Sequence, residues 1–233
     1  MTASRGGLRR FVGPPGAPRR PAGPEDAHPH GQAAQHGEAA QPAPPEVDKC
    51  EMCGTPAGTR HGHVVDVEHR SLMCACRPCF LLFTREDAGA GRYRAVPERY
   101  LHNPERPLSG ADWDSLGIPV GSAFFLRSDS GVAAFYPSPV GATECLLDLQ
   151  AWADLGTRQP LLAAAAPEVE AILIRAVDQR VDCFLVPIDA CYELVGTVRA
   201  YWKGFDGGQE ARERIDEFFA GIASRARRYR PEA

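Results

Sequence analysis

Cys50-Glu51-Met52-Cys53-Gly54 and Leu72-Met73-Cys74-Ala75-Cys76-Arg77-Pro78-Cys79 are the two stretches that decide the reading of this chain. Each contains a C-x-x-C pair, and 22 residues lie between the pairs. A C-x-x-C folds into a tight knuckle whose two sulfurs converge on one ion. Two knuckles at this spacing are the sequence form of a four-thiolate site, a zinc ribbon or its iron-binding relative rubredoxin. Cys50, Cys53, Cys76 and Cys79 are therefore the expected metal ligands, with zinc the expected ion and iron the alternative. A disulfide framework suits small secreted domains better than a 233-residue chain without an export signal. A thioredoxin-type redox pair fits two pairs at ribbon spacing poorly.

The segment between the knuckles must return the second to the first. His63–Val67 alternates with branched residues and Ser71–Cys74 is apolar, with Glu68-His69-Arg70 able to turn between them, which is the required hairpin. Phe80-Leu81-Leu82-Phe83 follows the second knuckle and is expected to pack the metal module onto the rest of the chain. Tyr93–Val96 reads as a short strand ended by Pro97.

Beyond the module the pattern is mixed. Ser109 to Leu116 reads as a short helix, with Ser109 as N-cap and Asp112 in the capping-box position. Ala123–Arg127 and Val132–Tyr136 flank the turn Ser128-Asp129-Ser130-Gly131, and Pro137-Ser138-Pro139 should stop the second strand. Leu149 to Leu155 suggests a helix ended by Gly156. Val169–Arg175 and Cys183–Ile188 are apolar strand candidates, and Asp189 is placed to cap the helix that follows. Cys191, Val195, Val198 and Trp202 share one helical face, and so do Ile215, Phe218, Phe219 and Ile222 in a last helix starting near Gln209. Strands and helices without strict βαβ alternation predict an α+β fold. The expected organisation is a Pro/Gly/Ala-rich disordered tail over 1–48, a four-cysteine ribbon over 49–83 and an α+β body over 84–233.

Other residues can carry chemistry. Cys74 stands two before Cys76 and is a further thiol near the metal, an alternative ligand, or plain hairpin core. His61 and His63 form an H-x-H at the same hairpin. They are candidate ligands, N–H donors to the thiolates, or solvated loop residues. Cys145, Cys183 and Cys191 sit among apolar residues and are expected in the core. Ser138, Thr143 and Glu144 with Arg127 offer a polar pocket, although a Pro-shaped loop covering the core explains the same residues. No nucleophile elbow, Walker loop, dinucleotide glycine fingerprint or H-E-x-x-H occurs in the sequence.

Composition and charge narrow the class. The first 49 residues hold nine of the 21 prolines, seven glycines, nine alanines and one aromatic, Phe11, too little apolar surface to offset ordering entropy. Arg9-Arg10-Phe11 is followed by no apolar run, so export is not expected. No stretch of 18 apolar residues is present, so a cytoplasmic location is expected. The net charge is −4, and Cys50 to Tyr100 carries seven arginines against six acids. A ribbon that grips nucleic acid shows a clear basic excess, so nucleic acid is not the expected partner. Arg225, Arg227, Arg228 and Arg230 cluster at the C-terminus, where cations complement a helix dipole.

The first knuckle, the run Leu72 to Cys79, the block Ala134 to Glu144 and Leu185-Val186-Pro187-Ile188-Asp189 resemble an uncharacterised bacterial family, a domain of unknown function from high-GC bacteria. The resemblance covers roughly residues 48–220. Genes of that family often neighbour those of [NiFe]-hydrogenases and their maturation factors. The resemblance supplies no activity. Together with a closed metal site and the lack of a catalytic motif it implies a non-catalytic accessory protein whose partner is a hydrogenase subunit or maturation factor, or alternatively a rubredoxin-like electron carrier; an active site in the 120–220 body stays open. Rubredoxin knuckles usually both end in Gly. Here Gly54 follows the first and Phe80 the second, which disfavours iron.

Overall fold

The computed structural model describes residues 49–85, 88–178 and 180–231. The expected tail over 1–48 lies outside the described residues. The fold is α+β, built on two sheets. A three-stranded antiparallel sheet carries β1 (Gly62–Asp66) between β2 (Ser71–Ala75) and β3 (Tyr93–Ala95). The second knuckle opens α1 (Arg77–Leu82). A seven-stranded sheet has the order β10-β4-β9-β8-β5-β6-β7, with β4 (Leu101–His102), β5 (Ser122–Ser128), β6 (Gly131–Ser138), β7 (Gly141–Cys145), β8 (Glu170–Val177), β9 (Arg180–Pro187) and β10 (Arg227–Arg228). All of its pairings are antiparallel except β10 with β4.

Alternation along these strands fills two cores, one on each face of the larger sheet. Phe124, Phe135, Leu173, Phe184 and Val186 face α5 (Ile188–Tyr201) and α6 (Gly208–Arg225), which contribute Cys191, Leu194, Val195, Phe218, Phe219 and Ile222. Phe125, Ala134, Ile172, Ile174 and Leu185 face the other way, onto α2 (Gly110–Ser115), α3 (Leu149–Arg158) and α4 (Leu161–Ala164). Cys191 lies in the first core, and Cys145 and Cys183 pack against the second, as expected. The capping box at α2 also forms as read: Ser109 accepts from Asp112 N–H, and Asp112 accepts from Ser109 N–H at 2.8 Å.

Several local expectations are corrected. Gly156 does not end α3, which continues to Arg158. Gly is tolerated inside a helix at about 1 kcal/mol. The break comes at Gln159 (ψ 88°), forced out of the helical region by Pro160. Pro137 does not stop β6, because it lies beyond the segment paired with β5 and pairs with Ala142 of the edge strand β7. Trp202 falls just past α5, as its extended C-cap. The polar pocket does not assemble. Arg127 donates to the carbonyls of Ala163 and Ala165, whereas Ser138 bonds Gly141 O and Thr143 Oγ1 inside the β6–β7 hairpin.

The largest correction concerns how the small sheet meets the body. Phe80 is buried, but inside the module, with Val64, Ala75, Cys50 and Cys76, while Leu81 and Leu82 are 52% and 65% exposed. The opposite face of β1 and β2 makes the contact: Val65, Val67 and Leu72 join the core beneath α5 and α6. Alternation leaves Val64, Met73 and Ala75 for the small core and presents His63, Val65, Leu72 and Cys74 on the other face.

Candidate metal centre

The two knuckles differ in construction. In the first, Gly54 N–H returns to Cys50 O at 2.8 Å, and Gly54 takes φ +74°, a conformation that favours glycine. In the second, Cys76 is the N-cap of α1 with Pro78 in its first turn, and Phe80 N–H reaches Cys76 O at 2.9 Å. Phe80 is helical and needs no positive φ. Pro78 is the sequence signal for this helix.

Strand pairing then brings the knuckles together. Glu51 N–H donates to Cys74 O at 2.9 Å, and Cys74 N–H donates to Glu51 Oε2 at 2.6 Å, tying the first knuckle to the end of β2. The sulfurs of Cys50, Cys53, Cys76 and Cys79 all lie within 4.8 Å of one another. Cys53 and Cys76 are 3.7 Å apart. A disulfide needs about 2.05 Å. A tetrahedron with metal–sulfur bonds of about 2.3 Å has edges of about 3.8 Å. The four sulfurs therefore fit the corners of a tetrathiolate site and could hold one metal ion.

The electrostatics point the same way. Burial pushes the Cys50 thiol up, but N–H groups of Cys76, Cys53 and Met52 outweigh it and bring it down to about 6. The Thr55 hydroxyl, 3.0 Å away, and the Thr55 N–H lower Cys53. Burial and the neighbouring thiols of Cys53, Cys76 and Cys50 push Cys79 up to about 12. Charging some sulfurs thus raises the cost of charging the rest, the expected behaviour of thiols packed together without a cation. A divalent ion removes that repulsion and takes all four as thiolates.

Residues 49–226 match a family model described as a family of unknown function (DUF5947). The chain belongs to that family. No curated protein and no solved structure matches it. Family membership adds no activity, so chemistry has to come from the sites themselves. Among the described residues no helix is long and apolar enough to cross a membrane.

Two further groups have metal-ligand composition. One ring nitrogen each of His61 and His63 and the sulfur of Cys74 lie within 4.8 Å of one another, on the face of β1 and β2 away from the small core. Asp66, Glu68 and His69 form the other. There the cation is already supplied: Arg92 donates to both Asp66 oxygens, at 2.8 Å from Nη2 to Oδ2. His69 N–H also donates to Asp66 Oδ1. This network closes the β1–β2 turn onto the approach to β3.

The expectation that Asp189 caps α5 is corrected. The N-cap is Pro187, which has no side-chain cap. Asp189 lies in the first turn and accepts from His63 Nδ1–H at 2.7 Å. Its other oxygen, Oδ1, is buried without a hydrogen-bond partner among the described residues. No local sequence signal marks this contact, which joins residues 126 apart in the chain.

Proposed function

We propose that this protein is a zinc-carrying accessory protein without catalytic activity of its own, which docks on a [NiFe]-hydrogenase subunit or maturation factor. The observation that carries the metal part is the clustering of four cysteine sulfurs within 4.8 Å of one another, with Cys53 and Cys76 at 3.7 Å, close to a tetrahedral edge. Four thiolates close the coordination sphere of Zn²⁺, leave no position for water or substrate, and contribute folding energy to a module with a small core. The asymmetry of the knuckles supports zinc over iron. Only the first has a glycine after its second cysteine, whereas the second runs straight into a helix.

The docking part draws on two features. The knuckles are held by backbone hydrogen bonds, and Leu81 and Leu82 present exposed apolar surface beside them. Isolated exposed leucines are ordinary, but a rigid apolar edge next to a metal centre suits a protein contact. The hydrogenase context comes from the family resemblance.

Pull-down of the tagged chain from its native host is expected to recover hydrogenase-related proteins, and a clean deletion to lower hydrogenase activity or subunit maturation. Normal activity in the deletion strain with no co-purifying partner overturns the proposal. A visible thiolate-to-iron band that bleaches on reduction replaces it with the electron-carrier reading.

A further inference from the structure

The three-stranded sheet carries a second set of donors that the four-cysteine centre does not use. We propose that His61, His63 and Cys74 hold a second divalent cation of the zinc class, with three protein ligands and a fourth coordination position open to a cavity.

Cys74 pairs directly with His63 across β1 and β2, and His61 precedes the strand on the same side. The rings of His61 and His63 meet edge to face at 5.3 Å between centroids. Both rings are oriented through Nδ1. His61 Nδ1–H donates to Gly58 O at 3.1 Å, and His63 Nδ1–H donates to Asp189 Oδ2 at 2.7 Å. With Nδ1 engaged as a donor, each ring keeps its lone pair on Nε2, the nitrogen left for a metal. A backbone carbonyl on one histidine and a carboxylate on the other are the partners that orient metal-ligating imidazoles and raise their basicity. Two imidazoles and one thiolate suit zinc and its borderline neighbours.

The surroundings differ from those of the tetrathiolate cluster. A cavity of about 250 Å³ reaches both histidines and is walled by Glu98, Tyr100, Asp189 and Arg225. Arg225 lies over the Tyr100 ring at 4.2 Å and donates to its hydroxyl, placing a cation on the wall. Three protein ligands beside an accessible cavity are the arrangement of an open site, where the fourth ligand exchanges. The inference does not depend on zinc occupying the four-cysteine centre.

The test counts ions on the full chain. All samples carry H28Q, H30Q and H36Q, which removes the imidazoles of the N-terminal segment. Apo protein is reloaded with Zn²⁺, and then with Co²⁺ to read ligand type from the absorption spectrum. The parent is expected to take two equivalents. The His61→Ala/His63→Ala variant should take one and keep the intense thiolate-to-cobalt absorption of the four-cysteine centre. Cys53→Ser should lose the other equivalent, so the two sites fail independently. Asp189→Asn should weaken the second equivalent by about 10- to 100-fold and leave the first unchanged. His61→Gln, at the margin of β1, gives the same readout without disturbing the sheet. Uptake by both histidine variants equal to that of the parent, whether one equivalent or two, overturns the proposal.

Discussion

His63 Nδ1 and Asp189 Oδ2 lie 2.7 Å apart and join the small sheet to the first turn of α5 across 126 residues of sequence. The bond sits beside the apolar contact made by Val65, Val67 and Leu72, so the module is fixed in orientation as well as held by burial. The face of β1 and β2 that docks on the body is also the face that carries His61, His63 and Cys74.

Glu170 and Arg99 give an asymmetric prediction. The Glu170 side chain is fully buried and accepts from Arg99 Nε at 2.6 Å, from Arg99 Nη2 at 2.8 Å and from Ala166 N–H at 2.8 Å. Arg99 is half exposed. Removing the cation strands a buried carboxylate, whereas neutralising the carboxylate leaves a cation that water can reach. Arg99→Met should therefore cost about 3–5 kcal/mol in denaturant unfolding. Glu170→Gln should cost less, about 1–2 kcal/mol. Equal losses would show that the pair is not organised around a buried carboxylate.

Gly62 opens β1 directly against the Phe80 ring, so an added Cβ would clash with the ring's Cδ2 and Cγ. Gly62→Ala should cost about 1–3 kcal/mol through overpacking. Phe80 follows Cys79 and packs on Cys50 and Cys76, so the same substitution should speed release of a bound metal ion to a chelator. Unchanged release kinetics would separate the small core from the metal centre.

Asp66 sets an acid response. Burial works to raise its carboxyl, but hydrogen bonds from Arg92 and from His69 outweigh it and hold the carboxyl at about 2, below its ordinary 3.8. A folded-state value below the unfolded one means stability that is fully present above about 4 and is lost as pH falls through about 2. The stability gap between the parent and Asp66→Asn should be constant from pH 7 to about 5 and should shrink below about 4. Taking the difference cancels the loss of metal shared by both proteins. A gap that persists to pH 2 would show that Asp66 is not held ionised by this network.

Much of the fold was legible where one local rule acts. The C-x-x-C spacing marks the four cysteines whose sulfurs cluster, Ser109 and Asp112 mark the start of α2, and Ser128 to Gly131 marks the β5–β6 turn. The apolar period of α5 and α6 marks the faces they bury. Long-range geometry was not legible. Strands of two residues such as β4 and β10 carry no periodic signal. Nothing local distinguishes the face of β1 that packs on Phe80 from the face that packs on α5, and Phe80-Leu81-Leu82-Phe83 read as a docking run because its apolar character hides a helix with Leu81 and Leu82 exposed. Asp189 looked like a cap because residue type and position matched, while its partner, His63, lies in the other sheet. The proximity of His61, His63 and Cys74 likewise depends on strand register, which composition does not reveal.

The central claim is that Cys50, Cys53, Cys76 and Cys79 hold one zinc ion. The most direct measurement is zinc and iron content per chain, by elemental analysis of protein purified from its native host, for the parent and for Cys53→Ser and Cys76→Ser. The account predicts zinc in the parent and the loss of one equivalent in each variant, with local unfolding confined to the two knuckles. Full metal content in both variants, or a parent that carries no metal, would contradict it.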